Sequence, residues 1–415
     1  MPVTEPDTMN ASSFAATDGV STLWPEINGH FLSLRGIPDS LQPQERGQAV
    51  YRQILVGFDA ITSCELKDLY KFTLCLQQLD KDEIQRPELR QLVAAFQAWV
   101  CFDYTAARRQ FRQHLRQYPT DVVALFCAHM FDFCTSQTPE LMPDLALFDE
   151  HIDASHPLYS YYLGIKAFVH VEAGQPQPAL KLGLESLRHC PDNIYGIHAV
   201  AHALHERECW QELCIFLEQC RAQWIDNAGM RMHVYWHLAI AYEKSEQAER
   251  SVETFHEMYA LKDSLFAKQD LDAVAFLWRY RLRHPEDRRF DSEWRKLAGL
   301  WSGSIGSSMS YFHRLHAALA FAASEQPFLI EKLIAESDGF GLDAATHQTG
   351  IAVLQAILDF AHGRYDDCQR RLRDQQSRWD VLGGSRAQRE LLPLTLQACE
   401  QRRAAARATD AALHA

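Results

Sequence analysis

The feature that most constrains this chain is a helical periodicity that runs through nearly its whole length. From Gln48 to Glu400, apolar residues recur at steps of three and four, as in LRQLVAAFQAWV and TGIAVLQAILDFAHG. Residues three and four apart lie on one face of an α-helix. Pro and Gly stand at the ends of such stretches, and no sustained alternation indicates a sheet. The pattern predicts an all-α protein.

The predicted helices repeat in pairs. A tetratricopeptide unit has about 34 residues, with small residues where its two helices cross, an aromatic residue in the seam and Pro after the second helix. Because such units stack only on their neighbours, we predict a right-handed α-solenoid of tetratricopeptide-like helical hairpins with a concave inner face. Two segments fit this spacing, with Ala95, Ala107, Phe111 and Pro119 in the first and Ala167, Gly174, Ala179 and Pro191 in the second.

The same pattern divides the chain into four parts. The acidic start predicts a disordered leader over residues 1–22, and the Ala/Arg-rich end predicts a frayed tail over residues 403–415. Helical repeats occupy residues 23–300 and 301–402, because the Gly/Ser-rich stretch Leu300–Ser310 interrupts the pattern,. That stretch lacks the spacing of a phosphate-binding loop, so we interpret it as a linker.

Charge and composition disfavour several classes of partner. The chain has 415 residues, 47% of them hydrophobic, and a net charge of −13, which gives no counterion-release drive for binding nucleic acid,. No apolar run is long enough for a membrane span, and the N-terminus lacks the regions of a signal peptide. The 11 cysteines are scattered, with no CxxC pair. We therefore predict a cytoplasmic protein without nucleic-acid or membrane partners.

Two pairs of histidines are the best candidates for a functional site. His198 and His202 lie four residues apart in one predicted helix, and His233 and His237 do so in a helix about one repeat further on. Each pair shares a helix face. His205 extends the first stripe by three residues. In the repeat frame of these segments the histidines take ligand-facing positions, so we predict that they line the concave groove.

These stripes allow three interpretations. Four imidazoles from two HxxxH pairs can bind a divalent metal, zinc or iron, and Asp272 or Glu206 can add a carboxylate. An imidazole-lined groove can instead bind a peptide, a partner protein or a small anionic ligand, or perform acid–base chemistry near neutral pH. The third interpretation is structural, since buried histidines at helix seams often only exchange hydrogen bonds. The HExxH sequence of zinc proteases is absent,.

Three further candidate ligand-binding residues have simpler alternatives. Asp272 precedes an apolar run, where a carboxylate also stabilises a helix N-terminus,. His316 lies in the middle of a predicted helix and suits a site or a core. Arg389 follows a Gly-Gly turn at which Ser385 is well placed as a helix N-cap,. Arg389 and that helix N-terminus can alternatively hold an anion in the groove.

Five segments resemble the tetratricopeptide repeat protein 38 family, and HAVAH, WH and GGSxAQR are their most specific features. The resemblance implies an α-solenoid, usually cytoplasmic, and carries no assigned reaction. The family usually has Glu at position 205 and His at position 386, where this chain has His205 and Arg386. The matching segments are Ile197–Glu206, Met232–Tyr242, Leu271–Leu282, Phe312–Ala323 and Leu382–Leu396.

Two functions of different classes follow from the sequence. The first is a binding protein whose histidine-lined groove recognises a peptide, a partner protein or a small anionic ligand, because solenoids present extended grooves. The second is a small-molecule enzyme or metal-binding protein that uses the histidine cluster. The sequence favours the first, and the metal content of the purified protein distinguishes them. The cluster comprises His198, His202, His205, His233 and His237.

Overall fold

The protein is an all-α solenoid of helical hairpins, as the periodicity predicted. The computed structural model describes residues 19–135, 141–263 and 267–413, and within these residues there are 22 α-helices and no β-strand. Short 3-10 helices lie at Gly19–Thr22, Glu83–Gln85 and Gln376–Leu382. The α-helices are α1 (Pro25–Leu32), α2 (Arg46–Thr62), α3 (Leu66–Gln77), α4 (Pro87–Val100), α5 (Tyr104–Gln117), α6 (Val122–Cys134), α7 (Met142–Asp149), α8 (Tyr159–Glu172), α9 (Pro176–His189), α10 (Ile194–Glu206), α11 (Trp210–Gln219), α12 (Arg221–Trp224), α13 (Arg231–Lys244), α14 (Ala248–Ala260), α15 (Ala267–Arg283), α16 (Asp291–Ser302), α17 (Tyr311–Ala323), α18 (Pro327–Ala335), α19 (Ala344–Ala361), α20 (Tyr365–Asp374), α21 (Arg386–Arg389) and α22 (Leu391–Leu413).

Six hairpins share one turn geometry. The second residue after the first helix adopts a left-handed backbone, and the following N–H bonds the carbonyl five residues earlier. This bond satisfies a terminal carbonyl and reverses the chain. Gly174 and Glu208 are 34 positions apart, the length of one tetratricopeptide unit,. The six left-handed residues are Phe102, Gly174, Glu208, Glu246, Glu325 and Gly363.

Small residues allow the paired helices to approach closely. Ala107 of α5 and Ala179 of α9 are fully buried, as the repeat spacing predicted. Gly183 of α9 lies against Val200 of α10, and a Cβ on Gly183 would come within 2.7 Å of the Val200 side chain. Close packing therefore extends from one hairpin to the next.

The first helices of the central hairpins are buried on all sides. Every residue from Ile194 to His205 in α10 and from Tyr311 to Phe321 in α17 is buried. Such helices lie inside a larger core, whereas an amphipathic helix buries one face. The second helices α9 and α14 are of the amphipathic kind. The inner face of the solenoid is therefore packed.

Late repeats pack against early ones and cover this inner face. An isolated β-bridge joins Glu65 to Ser308, and the rings of Phe102 and Phe340 lie 5.6 Å apart. Helix α21 contacts α10, and α22 contacts α15. The stretch Leu300–Ser310 includes the β-bridge residue Ser308, so it joins distant repeats and does more than link helices.

The N-terminal boundary differs from the prediction. Residues 1–18 of the expected leader lie outside the described residues, but Gly19–Thr22 form a 3-10 helix. The buried carboxylate of Asp121 accepts hydrogen bonds of 2.8 Å from the N–H of Val20 and the hydroxyl of Ser21. These bonds order the chain before residue 23.

Two apolar clusters fill the interior. One is formed mainly by residues from Val20 to Phe168, and the other by residues from Ile194 to Cys399. The second cluster continues across the predicted boundary at residues 300 and 301. Helix α22 extends through the predicted tail as far as Leu413, with residues 414 and 415 outside the described part. No helix in that part is long and apolar enough to cross a membrane.

Candidate metal centre

Four histidines from two neighbouring inner helices converge on one point. His198 and His202 come from α10, and His233 and His237 come from α13. Each offers one ring nitrogen, and these four nitrogens lie within 4.8 Å of one another. The i, i+4 spacing and the stacking of successive hairpins account for this convergence.

The four imidazole rings are arranged midway between a tetrahedron and a square. Neighbouring ring centres are 4.4, 4.5, 4.8 and 5.0 Å apart, and the two diagonal distances are 5.8 and 6.0 Å. A Zn–N bond of about 2.0 Å plus about 1.2 Å to the ring centre gives about 5.2 Å between rings in a regular tetrahedron. A square would give about 4.5 Å along its sides and about 6.4 Å across. The observed spacing lies between the two.

The histidines are buried, so the prediction that they line an open groove is wrong. His202 and His237 have no exposed surface, and His198 is 5% exposed. The side chain of His233 retains 15% of its surface. The stripes do face inward, but side chains of neighbouring helices cover them, such as Phe168 of α8 and Asp272 of α15.

Three of these histidines have no hydrogen-bond partner among the described residues. Both ring nitrogens of His198, His202 and His237 are buried and unpaired. A neutral imidazole carries one N–H donor and one lone pair, and a buried polar group without a partner costs about 1–3 kcal/mol. A purely structural role would supply partners. The orphaned nitrogens point instead to a bound group at the centre of the cluster.

Burial keeps these imidazoles neutral. Desolvation lowers the pKa of His198, His202 and His237 well below its usual value, and neighbouring imidazoles lower it further because protonated rings repel one another,. The neutral imidazole is the form that binds a metal ion. The cluster is therefore in its ligating state at neutral pH.

Asp272 orients the fourth histidine. Its Oδ1 accepts a hydrogen bond of 2.7 Å from Nδ1 of His233. This bond fixes the tautomer and leaves Nε2 with the free lone pair, as in many metal-bound histidines. Asp272 lies within α15 and not at its N-terminus. The structure thus gives Asp272 a supporting position behind a ligand, where the sequence had suggested a ligand or a helix-end carboxylate.

Aromatic rings form the walls of the cluster. The ring of Phe168 stacks on His198 at 4.9 Å and meets the edge of His202 at 5.0 Å. The indole of Trp236 stacks on His233 at 5.1 Å. These rings hold the imidazoles in fixed orientations. Sequence reasoning missed both residues, because an aromatic residue at helical spacing has the same pattern in any core.

His205 lies beside the cluster and has a different partner. Its Nε2 donates a hydrogen bond of 3.2 Å to Oε1 of Glu390, and the other oxygen of Glu390 is 3.6 Å from Arg279. Burial raises the pKa of Glu390, but His205 and Arg279 outweigh it and lower this pKa to about 2. His205 is therefore part of a charged network and not one of the four converging ligands.

His316 and Arg389 do not join the cluster. Nδ1 of His316 donates a hydrogen bond of 2.8 Å to the carbonyl of Phe312. Arg389 donates to the carbonyl of Gly384 and lies 3.7 Å from Glu172. Their predicted role in the site gains no support from these contacts.

The helix end that the sequence suggested as an anion site already holds a carboxylate of the chain itself. Ser385 and Gln388 form a capping box at α21, as predicted for Ser385,. The carboxylate of Glu172 accepts the N–H of Arg386 at 3.1 Å. The guanidinium of Arg386 donates to Glu206 at 3.0 Å, so Glu206 has a partner away from the histidines.

Comparison with known proteins adds little to these observations. No family model matches the chain. Among the solved structures that match is the P58(IPK) TPR domain, which is 10% identical and has a TM-score of 0.23. The match covers 75% of this chain and 98% of that one. A likeness at this level carries no functional conclusion, and the tetratricopeptide-like repeats are recognised from the hairpins themselves.

Proposed function

We propose that this protein is a metal-binding α-solenoid in which His198, His202, His233 and His237 hold one divalent transition-metal ion. The observation that carries the proposal is the set of buried, unpaired ring nitrogens around a single point. A metal ion satisfies all of them at once. The carboxylate of Asp272 accepts a hydrogen bond from His233 and so orients one of the proposed ligands, an arrangement common around metal-bound histidines,.

Zinc is the first candidate for the ion. Imidazole suits zinc, copper, nickel and iron, whereas magnesium and calcium prefer oxygen ligands. Non-haem iron sites commonly combine two histidines with one carboxylate, and the four converging side chains here are all imidazoles. Zinc has no electronic preference for one geometry, so it tolerates a ring spacing between tetrahedral and square,. Iron is the second candidate.

Recognition of a peptide at these histidines has less support. His202 and His237 are fully buried, so a peptide cannot contact them without displacing the side chains packed around them. We place any recognition of a protein partner on the outer surface. An open depression of about 450 Å³ lies there, lined by Ile215, Tyr242 and Arg250 among others.

The resemblance to the tetratricopeptide repeat protein 38 family includes all four proposed ligands. HAVAH contains His198 and His202, and the second matching segment contains His233 and His237. We propose that the chain is a member of that family and that the metal site lies in the part that they share. A cytoplasmic location stays a prediction, which the lack of disulfide bonds among the described cysteines supports,.

Metal analysis of the purified full-length chain tests the proposal. We expect about one zinc ion per chain, and loss of that zinc in His202→Gln and in His237→Gln. His316→Gln is the matched control, because His316 is equally buried on an inner helix but outside the cluster. Circular dichroism establishes that each variant is folded. Folded His202→Gln and His237→Gln proteins with wild-type zinc content, or a wild type that binds no zinc in calorimetry, would contradict the proposal.

A further inference from the structure

Two of the four histidines keep a little exposed surface. His202 and His237 are fully buried, whereas His198 and His233 each keep some exposed surface. Each of these two is the first histidine of its pair, and their rings are in contact, with centres 5.0 Å apart. His198 and His233 therefore form the side of the cluster that lies nearest to solvent.

The opposite side is closed by packed side chains. The ring of His205 lies 5.8 Å from that of His237, and His205 is bonded to Glu390. The guanidinium of Arg279 covers Trp236 at 5.1 Å and donates to a carbonyl of α21. A ligand that comes from solvent must use the side of His198 and His233.

The charges around the cluster do not balance a divalent ion. Four neutral imidazoles contribute no charge, and Asp272 is the carboxylate bonded to one of them. The nearby Glu390 is already paired with His205 and Arg279. A divalent ion beside one carboxylate leaves about one positive charge in a buried setting, where an uncompensated charge is costly.

The ring spacing leaves room for a further ligand. The diagonal distances of 5.8 and 6.0 Å exceed the neighbouring distances of 4.4 to 5.0 Å, so the four rings are flattened from a regular tetrahedron. Flattening opens both faces of the four-ligand ring. Zinc sites sometimes expand from four to five ligands.

We propose that the site takes a small inorganic monoanion as a fifth ligand, which approaches from the side of His198 and His233 and balances the remaining charge. This inference rests on the proposed metal site and names its exogenous ligand class. The ligand is small because the four rings are in contact and largely buried, and even the two most exposed keep little surface. It is anionic because the chain supplies one carboxylate for two positive charges.

Cobalt substitution tests this proposal on the full chain. Co²⁺ replaces zinc in nitrogen ligand sets and has a visible spectrum that reports its coordination number. Stoichiometric Co²⁺ uptake is measured first, and the loaded protein is then titrated with azide. We expect a saturable change of the visible bands, with lower intensity as a fifth ligand binds. Stoichiometric Co²⁺ with bands unchanged by azide would overturn the anion proposal alone, whereas absence of Co²⁺ uptake would overturn the metal site as well.

Two aspartates of α15 provide a matched pair of variants. Asp272→Asn removes the one nearby negative charge, so azide affinity of the cobalt protein should rise about tenfold,. Asp270→Asn is the control, because Asp270 is also buried but pairs with Lys262. We expect it to leave azide affinity unchanged. Equal azide affinity in the Asp272→Asn protein and the wild type would show that charge balance does not govern binding.

Discussion

Two seams between helices of this solenoid are filled by aromatic rings in close contact. The rings of one seam are apolar, whereas the rings of the other carry nitrogen atoms that need hydrogen-bond or metal partners. In the N-terminal hairpins the ring of Phe96 lies 5.4 Å from Phe72, 5.6 Å from Phe111 and 6.0 Å from Phe58. Between α10 and α13, neighbouring imidazole rings lie 4.4 to 5.0 Å apart. Phenyl rings in edge-to-face contact stabilise each other. Imidazole rings in the same arrangement leave nitrogen atoms without partners.

This contrast separates a seam that stabilises the fold, the phenylalanine seam, from a seam that forms the proposed site, the histidine seam. The phenylalanine seam lies inside one apolar cluster, while the histidine seam lies where the two apolar clusters meet. Packing on both sides holds the histidine helices in place. The surrounding core can therefore maintain a seam that is unfavourable without its ligand. The following predictions test this contrast.

The largest effect should come from the phenylalanine seam. Phe96→Ala removes a fully buried ring with four aromatic neighbours, and we expect a loss of about 3–5 kcal/mol in the free energy of unfolding,. Urea denaturation with and without zinc measures it. The loss should be the same in both conditions, because this seam has no ligand. A loss that depends on zinc would show that the two seams are coupled.

Zinc should stabilise the histidine seam by a comparable amount. A ligand that binds only the folded state adds about 4 kcal/mol at a thousand times its dissociation constant. Wild type should show this increase in urea denaturation, and Phe96→Ala should retain it. His202→Gln should show little of it, since His202 is one of the four ligands. An equal increase in His202→Gln would place the zinc elsewhere.

The third effect is a loss of stability in acid, to which the histidine seam contributes together with the buried His129 and His316, whose pKa burial lowers to about 3 and about 4. The folded-state pKa of His198, His202 and His237 is depressed, so below the usual 6.5 the unfolded chain binds more protons than the folded one,. Stability of the metal-free protein should therefore fall as pH falls, by about 2 kcal/mol per histidine at pH 5. Denaturation at pH 7 and pH 5 in the presence of a chelator measures this. Equal stability at both values would contradict the burial of neutral imidazoles.

The smallest effect should come from placing a phenylalanine in the histidine seam, so that it resembles the phenylalanine seam. His202→Phe replaces a ring with two unpaired nitrogens by an apolar ring in a similar volume. The metal-free protein should gain about 1 kcal/mol and lose part of its acid sensitivity, because the desolvated polar group is gone. Zinc binding should be lost. A destabilised variant with intact acid sensitivity would indicate that the native nitrogens have partners after all.

Local sequence patterns predicted the helical hairpins and the histidines that converge in the candidate site. The helical hairpins and the convergence of His198 with His233 depend on spacing along one helix and on stacking of successive repeats. The helix spacing and the repeat length can both be read from a single sequence. The left-handed turns at Glu208 and Glu246 could not be predicted, because the surrounding hairpin maintains this backbone at residues other than glycine,.

Contacts between distant repeats explain what the sequence did not reveal. Contacts between distant residues, such as the β-bridge between Glu65 and Ser308, close the inner face, and no local sequence pattern predicts such a contact. The same holds for the bond between His205 and Glu390, which are 185 positions apart. Burial therefore changed an expected groove into an enclosed cluster.

The left-handed turns also affect how copies of this protein meet one another. Two of the turn residues, Glu208 and Glu246, are exposed carboxylates, and a third, Glu325, is exposed but paired with Arg288. Because successive hairpins stack in register, their turns lie along the same edge of the solenoid. On a chain with a net charge of −13, this edge repels the same edge of a second molecule,. Dilute salt preserves this repulsion and concentrated salt screens it. We therefore expect the turns to keep copies of the protein apart at low ionic strength.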